Sequence, residues 1–246
     1  MKIEYHKHRN SCLDQEMELK SYGHAGKPVV IFPSARGTFY QFEDFGMVEA
    51  VRDFIDAGDI RLYTIASNDH ETWLADKWIN AADRGRNYQA YDAYVTDEAI
   101  PFIRAHSGYQ GKFVAAGCSM GGYHSANFFF RHPDLFDTLI AMSGLYGPWY
   151  FLGDYVDDNV YFNFPLLYLS DLTDAWYLDR FRQSDIIVSV GQGAWEAHHV
   201  QETRLLERTL RKLDVPAWID YWGYDVNHDW PWWRKQLPYF LGTLEL

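Results

Sequence analysis

The chain has 246 residues, 48% hydrophobic and 23% charged, values that exclude a disordered or coiled-coil protein and suit one globular domain with a sizeable core. Its 34 acidic and 22 basic side chains leave a net charge of −12, which argues against nucleic acid as a partner, because a phosphate backbone is bound by clustered Lys and Arg that replace counterions. Residues 1–9 lack the apolar run of a secretory signal and no stretch reaches about 18 consecutive apolar residues, so no membrane association and a cytoplasmic location are expected.

Cys12 and Cys118 are the two cysteines, far apart in sequence, and both are expected to be free thiols. Aromatic residues make up 18% of the chain, including 10 Trp. Such a share builds either a crowded aromatic core or an aromatic-lined cleft, and core packing is the commoner use of buried rings.

In chain order, residues 2–9 and 15–22 read as a strand pair around the polar turn at Asn10 and Ser11. Val29 to Phe32 is a short buried strand ended by Pro33, and Val48, Val51, Phe54 and Ile55 continue it as a helical pattern. The alternation repeats with a strand at Ile60 to Ala66, a helix at roughly 88–106, a strand at Lys112 to Ala116, a helix at 120–131 and a strand at Thr138 to Met142. An insertion rich in Tyr, Trp, Asp and Pro follows over residues 143–184, after the sixth strand. A strand at Ile186 to Val190, a helix at about 197–213, a strand at Ala217 to Trp222 and a helix at about 230–241 close the chain. This rhythm predicts a mostly parallel sheet with helices on both faces, in one domain spanning 1–246 with 143–184 as a cap-like insertion. In such sheets ligands bind beyond the carboxyl ends of the strands, so chemistry is sought in the loops that follow them.

The fifth strand runs into Gly117-Cys118-Ser119-Met120-Gly121 and then a helix. This is the strand-turn-helix setting that a G-x-S-x-G nucleophile elbow requires. The elbow strains its central residue and demands small residues two before and two after. Gly117 and Gly121 meet this demand for Ser119, whereas Cys118 as the central residue would have Met120 two after it. Ser119 is therefore the predicted nucleophile of an α/β-hydrolase fold.

With Phe39 to Met47 upstream and Asn227-His228-Asp229-Trp230-Pro231 downstream, this segment resembles the esterase family related to esterase D. That family includes feruloyl esterases, formylglutathione hydrolases, siderophore esterases and mycolyltransferases. The resemblance covers essentially the whole chain, with the elbow and the histidine loop as its specific parts, and it implies acyl-ester chemistry on a small-molecule substrate.

A serine hydroxyl needs a general base, and the α/β-hydrolase order of Ser, acid, His puts that base after the last strand. Among ten histidines His228 meets the order. His198 and His199 lie in a predicted helix, and surface or core roles are expected for them as for His124 and His132. The acid is sought after the strand at Ile186 to Val190, where Glu196 is the carboxylate present; many relatives have Asp near this point. Asp225 and Asp229 are the alternatives, being close to His228 in sequence.

For the oxyanion hole the Met120 amide is one expected donor, and the resemblance implies the backbone of Ala35 or Arg36 as the second. Trp73, Tyr146, Trp149, Tyr150 and Trp230 are candidates for lining the pocket, each equally able to pack in the core. No metal is expected, since His198 and His199 project about 100° apart on a helix, and the chemistry requires no cofactor. Three readings stand: a carboxylic-ester hydrolase, an acyltransferase using the same residues, and a non-catalytic binding protein on a hydrolase scaffold. No motif bears on oligomeric state.

Overall fold

Strands β1 (Ile3–Asn10) and β2 (Gln15–Tyr22) pair antiparallel, Ile3 opposite Tyr22. Their turn is closed by the Leu13 amide, which donates to the Asn10 side chain at 2.6 Å. In this computed structural model, which describes residues 1–246, six further strands run parallel to one another. They are β3 (Lys27–Phe32), β4 (Ile60–Ile65), β5 (Phe113–Cys118), β6 (Phe136–Met142), β7 (Asp185–Val190) and β8 (Trp218–Tyr221), and the sheet order is β1-β2-β4-β3-β5-β6-β7-β8.

Period-two alternation in the central strands supplies both faces of this sheet with apolar side chains. In β3, Val29 and Ile31 join one buried layer while Val30 and Phe32 join the other. The first layer is completed by α1 (Gln41–Asp44), α2 (Met47–Ala50), α3 (Arg52–Ala57) and α12 (Trp230–Leu241), through Phe42, Val48, Ile55, Trp233 and Leu237. The opposite layer is covered by α4 (Ala81–Ala93), α5 (Ile100–Ser107), α6 (Met120–Arg131) and α11 (Ala197–Lys212). This second layer absorbs much of the aromatic content: Phe32, Tyr88, Tyr91, Tyr123 and Phe128 pack ring on ring within it.

Two helices differ from the sequence reading. The apolar pattern over Val48 to Ile55 is split at Val51, whose φ of −113° and ψ of 16° interrupt the helix between α2 and α3. The helix expected from about residue 88 begins at Ala81, because the Asn80 side chain caps it by accepting the Asp83 amide at 2.9 Å. A π-helical turn at Tyr94–Ala99 joins α4 to α5. Pro101, which has no N–H to continue a regular helix, is the second residue of α5.

Residues 143–184 form α7 (Trp149–Leu152), α8 (Asp158–Tyr161), α9 (Pro165–Tyr168) and α10 (Ala175–Phe181) with a short 3-10 turn between the last two. Phe164, Leu166, Leu169 and Phe181 bury this segment against the layer of α4, α6 and α11. No helix is long and apolar enough to cross a membrane.

Candidate active site

Ser119 stands between β5 and α6 with φ 57° and ψ −120°, a backbone conformation that L residues rarely adopt. Packing compels the small neighbours. A Cβ on Gly117 would lie 2.4 Å from the Gly121 carbonyl oxygen, and one on Gly121 would lie 2.2 Å from the Phe32 carbonyl oxygen. The elbow is pinned from the next strand, because the Ser119 amide donates to the Met142 carbonyl at 2.9 Å. Cys118 points into the core, fully buried, and burial pushes its thiol well above the usual range, so it is no competing nucleophile.

His228 reaches Ser119 from the loop between β8 and α12, with Nε2 2.8 Å from the serine Oγ. That loop is fixed to the one after β7: the His228 amide donates to Ala194 at 3.0 Å, and the Ala194 amide donates to the Asn227 side chain at 2.8 Å. Trp233 closes one side of the imidazole edge-on, with ring centroids 4.9 Å apart.

Glu196 lies on the far side of the ring, and its Oε2 is 3.2 Å from His228 Nδ1. The carboxylate is 1% exposed, and its other oxygen accepts from the Ser143 hydroxyl at 2.6 Å. Of the alternatives, Asp229 is spent as the cap of α12, accepting the Trp230 amide at 2.7 Å, and Asp225 is exposed. The three groups Ser119, His228 and Glu196 therefore form one hydrogen-bonded line.

Two of the expected backbone donors belong to residues that line the cleft with the serine. Met120 opens α6, where the first N–H groups have no intrahelical partner, and Ala35 lines the same cleft from the loop after β3. Arg36 departs from expectation as a donor: its amide is already given to Asp69 Oδ2 at 2.7 Å. An N–H committed to a buried carboxylate cannot also receive a developing oxyanion.

The cleft above Ser119, of about 660 Å³, is walled by Leu74, Tyr123, Leu145, Tyr150, Phe151 and Trp195, with His198 and His199 at one side. Tyr150 lies where the sequence placed it, but the other ring candidates do not. Trp73 is buried, donating its indole N–H to the Tyr123 hydroxyl at 2.6 Å and packing on Phe164. Tyr146 is likewise buried in the core. Trp149 is turned to solvent, and Trp230, the first residue of α12, stacks on Phe45 with centroids 4.3 Å apart and is not among the cleft residues. Trp73 and Tyr146 went to the core, which offers a larger buried area than a solvated cleft. Only the first part of the insertion, Leu145 to Phe151, reaches the cleft.

Trp195 and His199 were missed, though both neighbour the acid in sequence. Trp195 sits at φ 68° and is 85% exposed on the rim. His199 is one helical turn beyond Glu196, its Nδ1 3.2 Å from the Trp195 carbonyl and 3.5 Å from Glu196 Oε2. Burial and the nearby His228 hold the His199 imidazole down at about 4. Glu196, His199 and His228 bring donor atoms within 4.8 Å of one another, a grouping able to hold a cation that the sequence spacing did not disclose.

Solved structures share the architecture. A ferulic acid esterase matches with a TM-score of 0.76 at 18% identity, over 98% of this chain and 97% of its own. The S-formylglutathione hydrolase of Agrobacterium tumefaciens matches with 0.74 at 16% identity, over 98% and 93%. A fluorophosphonate-binding serine hydrolase of Staphylococcus aureus gives 0.71 at 12%, over 98% and 97%. At these identities the likeness is one of fold. A search of curated proteins finds no match. The profile of one sequence family covers residues 13–244, nearly the whole chain, and on that ground the protein belongs to the family described as "Putative esterase".

Proposed function

We propose that Ser119, His228 and Glu196 form the catalytic triad of a cofactor-independent carboxylic-ester hydrolase acting on a small-molecule ester. The observation that carries this reading is the 2.8 Å contact between Ser119 Oγ and His228 Nε2, made on an elbow whose backbone holds the hydroxyl out of the core. Glu196 accepts Nδ1–H and leaves Nε2 free to take the serine proton. The serine oxygen attacks the ester carbonyl as its proton passes to His228. The Met120 and Ala35 amides receive the negative charge that develops on the carbonyl oxygen. Collapse expels the alcohol, which takes the proton from His228, and leaves an acyl group on Ser119. Water then repeats the sequence and releases the acid.

The ferulic acid esterase and the S-formylglutathione hydrolase that share the fold are named for different ester substrates, and the acyl-enzyme route is the chemistry transferred here. Residues 1–246 are read as one domain whose insertion caps the cleft only through its first turns. Two free thiols suit a reducing, cytoplasmic setting.

Replacing Ser119 by Ala tests the proposal. Turnover of p-nitrophenyl acetate and butyrate is expected to fall by about 10⁴-fold or more, and labelling by a fluorophosphonate probe is expected to vanish. Undiminished hydrolysis in that variant overturns the assignment, and acyl products formed on added alcohols in place of free acid would assign an acyltransferase instead.

A further inference from the structure

A second carboxylate–histidine pair lies beneath the cleft, separate from the triad. Asp69, in the loop after β4, and His124, on α6, are both fully buried, with His124 Nε2 2.9 Å from Asp69 Oδ1. Tyr88 of α4 completes the line, its hydroxyl 3.0 Å from His124 Nδ1, and the Asn127 side-chain amide lies 3.4 Å from that hydroxyl. One hydrogen-bond assignment satisfies every atom: Asn127 donates to Tyr88, Tyr88 donates to Nδ1, and Nε2–H donates to Asp69. No nucleophile stands in this chain, so it does not repeat the triad's chemistry.

What it holds is the oxyanion loop. The second Asp69 oxygen accepts the Arg36 amide at 2.7 Å. Arg36 sits at φ 55°, a left-handed conformation unfavourable for a side chain of its size. Its guanidinium donates to the Leu74 carbonyl at 2.7 Å, tying the same two loops a second time. Ala35 and Arg36 share a peptide unit, so fixing the Arg36 N–H fixes the Ala35 carbonyl at its other end and restrains the residue whose own N–H is the proposed oxyanion donor. A buried carboxylate with both oxygens engaged is a rigid anchor, whereas water would let the loop rotate.

We propose that Asp69 is a positioning residue for ester hydrolysis, held by His124 and Tyr88, which fixes Arg36 and so aims the Ala35 amide at the oxyanion. The proposal rests on the hydrolase reading above and adds a role that touches neither substrate nor Ser119. It predicts a loss confined to transition-state stabilisation, since the apolar walls that bind ground-state substrate are untouched.

The test compares wild type, S119A, D69A, D69N and Y88F in steady-state hydrolysis of p-nitrophenyl butyrate, with the folded fraction of each fixed by near-UV circular dichroism. D69A is expected to lower kcat by about 10²-fold with KM within about threefold. D69N should recover most of that loss, because its amide oxygen can accept from Arg36 while its NH₂ donates to His124 in the other tautomer. Should D69A not fold, Y88F carries the test, with an expected fall in kcat of about three- to tenfold at unchanged KM. Unchanged kcat in D69A or Y88F, or a rise in KM at constant kcat, overturns the proposal while S119A still reports on the hydrolase itself. Absence of turnover in the wild type overturns both.

Discussion

His199 lies against the face of His228, ring centroids 4.2 Å apart and planes 28° from parallel, and both rings turn Nδ1 toward the same Glu196 oxygen. Only one of them can be the charged partner of that carboxylate during catalysis. Burial, followed by the repulsion of His228, keeps His199 uncharged down to about pH 4. In the proposed mechanism His228 therefore takes the serine proton without a second cation stacked on it.

A stability prediction follows from that depressed value. Between the ordinary histidine value of 6.5 and about 4 the native chain holds fewer protons at His199 than the unfolded chain does. The contribution is complete above pH 6.5 and is lost as pH falls through about 4, amounting to about 3 kcal/mol. Replacing His199 by Gln should flatten this part of the acid limb, read from urea unfolding at pH 7 and pH 4.5. Parallel losses in the two proteins would place the acid sensitivity elsewhere.

Glu196→Gln tests the tautomer. The amide presents N–H where His228 needs an acceptor, turning the ring so that Nε2 carries a proton toward Ser119. A fall in kcat on the order of 10³- to 10⁴-fold is expected, with the folded state retained through the Ser143 contact. A variant within tenfold of wild type would show that Glu196 does not orient His228.

Trp195→Gly should separate stability from activity. Trp195 adopts a left-handed backbone with its ring almost fully in solvent, at the rim of the cleft. Glycine relieves the backbone cost and should raise stability by up to about 1 kcal/mol. The lost wall should lower kcat/KM for bulky acyl esters by about tenfold while leaving acetyl esters nearly unchanged. Thermal melts together with a chain-length series of p-nitrophenyl esters measure both effects, and equal losses across the series would deny the ring a substrate contact.

Local covalent geometry made the elbow that carries the proposed nucleophile legible in the sequence. Gly117 and Gly121 are required within five residues of chain, so the elbow is written where it is used. The alternation of strands and helices was legible for the same reason, since each period depends on neighbours in sequence. His228 and Glu196 were reachable through strand-end position, but their contact spans 32 residues and exists because β7 and β8 are adjacent.

Tertiary packing decided the remainder. Trp73 and Tyr146 have the same chemistry as Tyr150 and Phe151, and only the layering of the insertion against α4 and α6 sends the first pair to the core and leaves the second at the cleft. Arg36 and Ala35 were equivalent as oxyanion donors until Asp69, 33 residues on, claimed the Arg36 amide and left Ala35 as the proposed donor. A backbone N–H carries no mark of its partner in the sequence. Which amide is satisfied depends on a carboxylate brought up by a different strand, and that is set only when the sheet has closed.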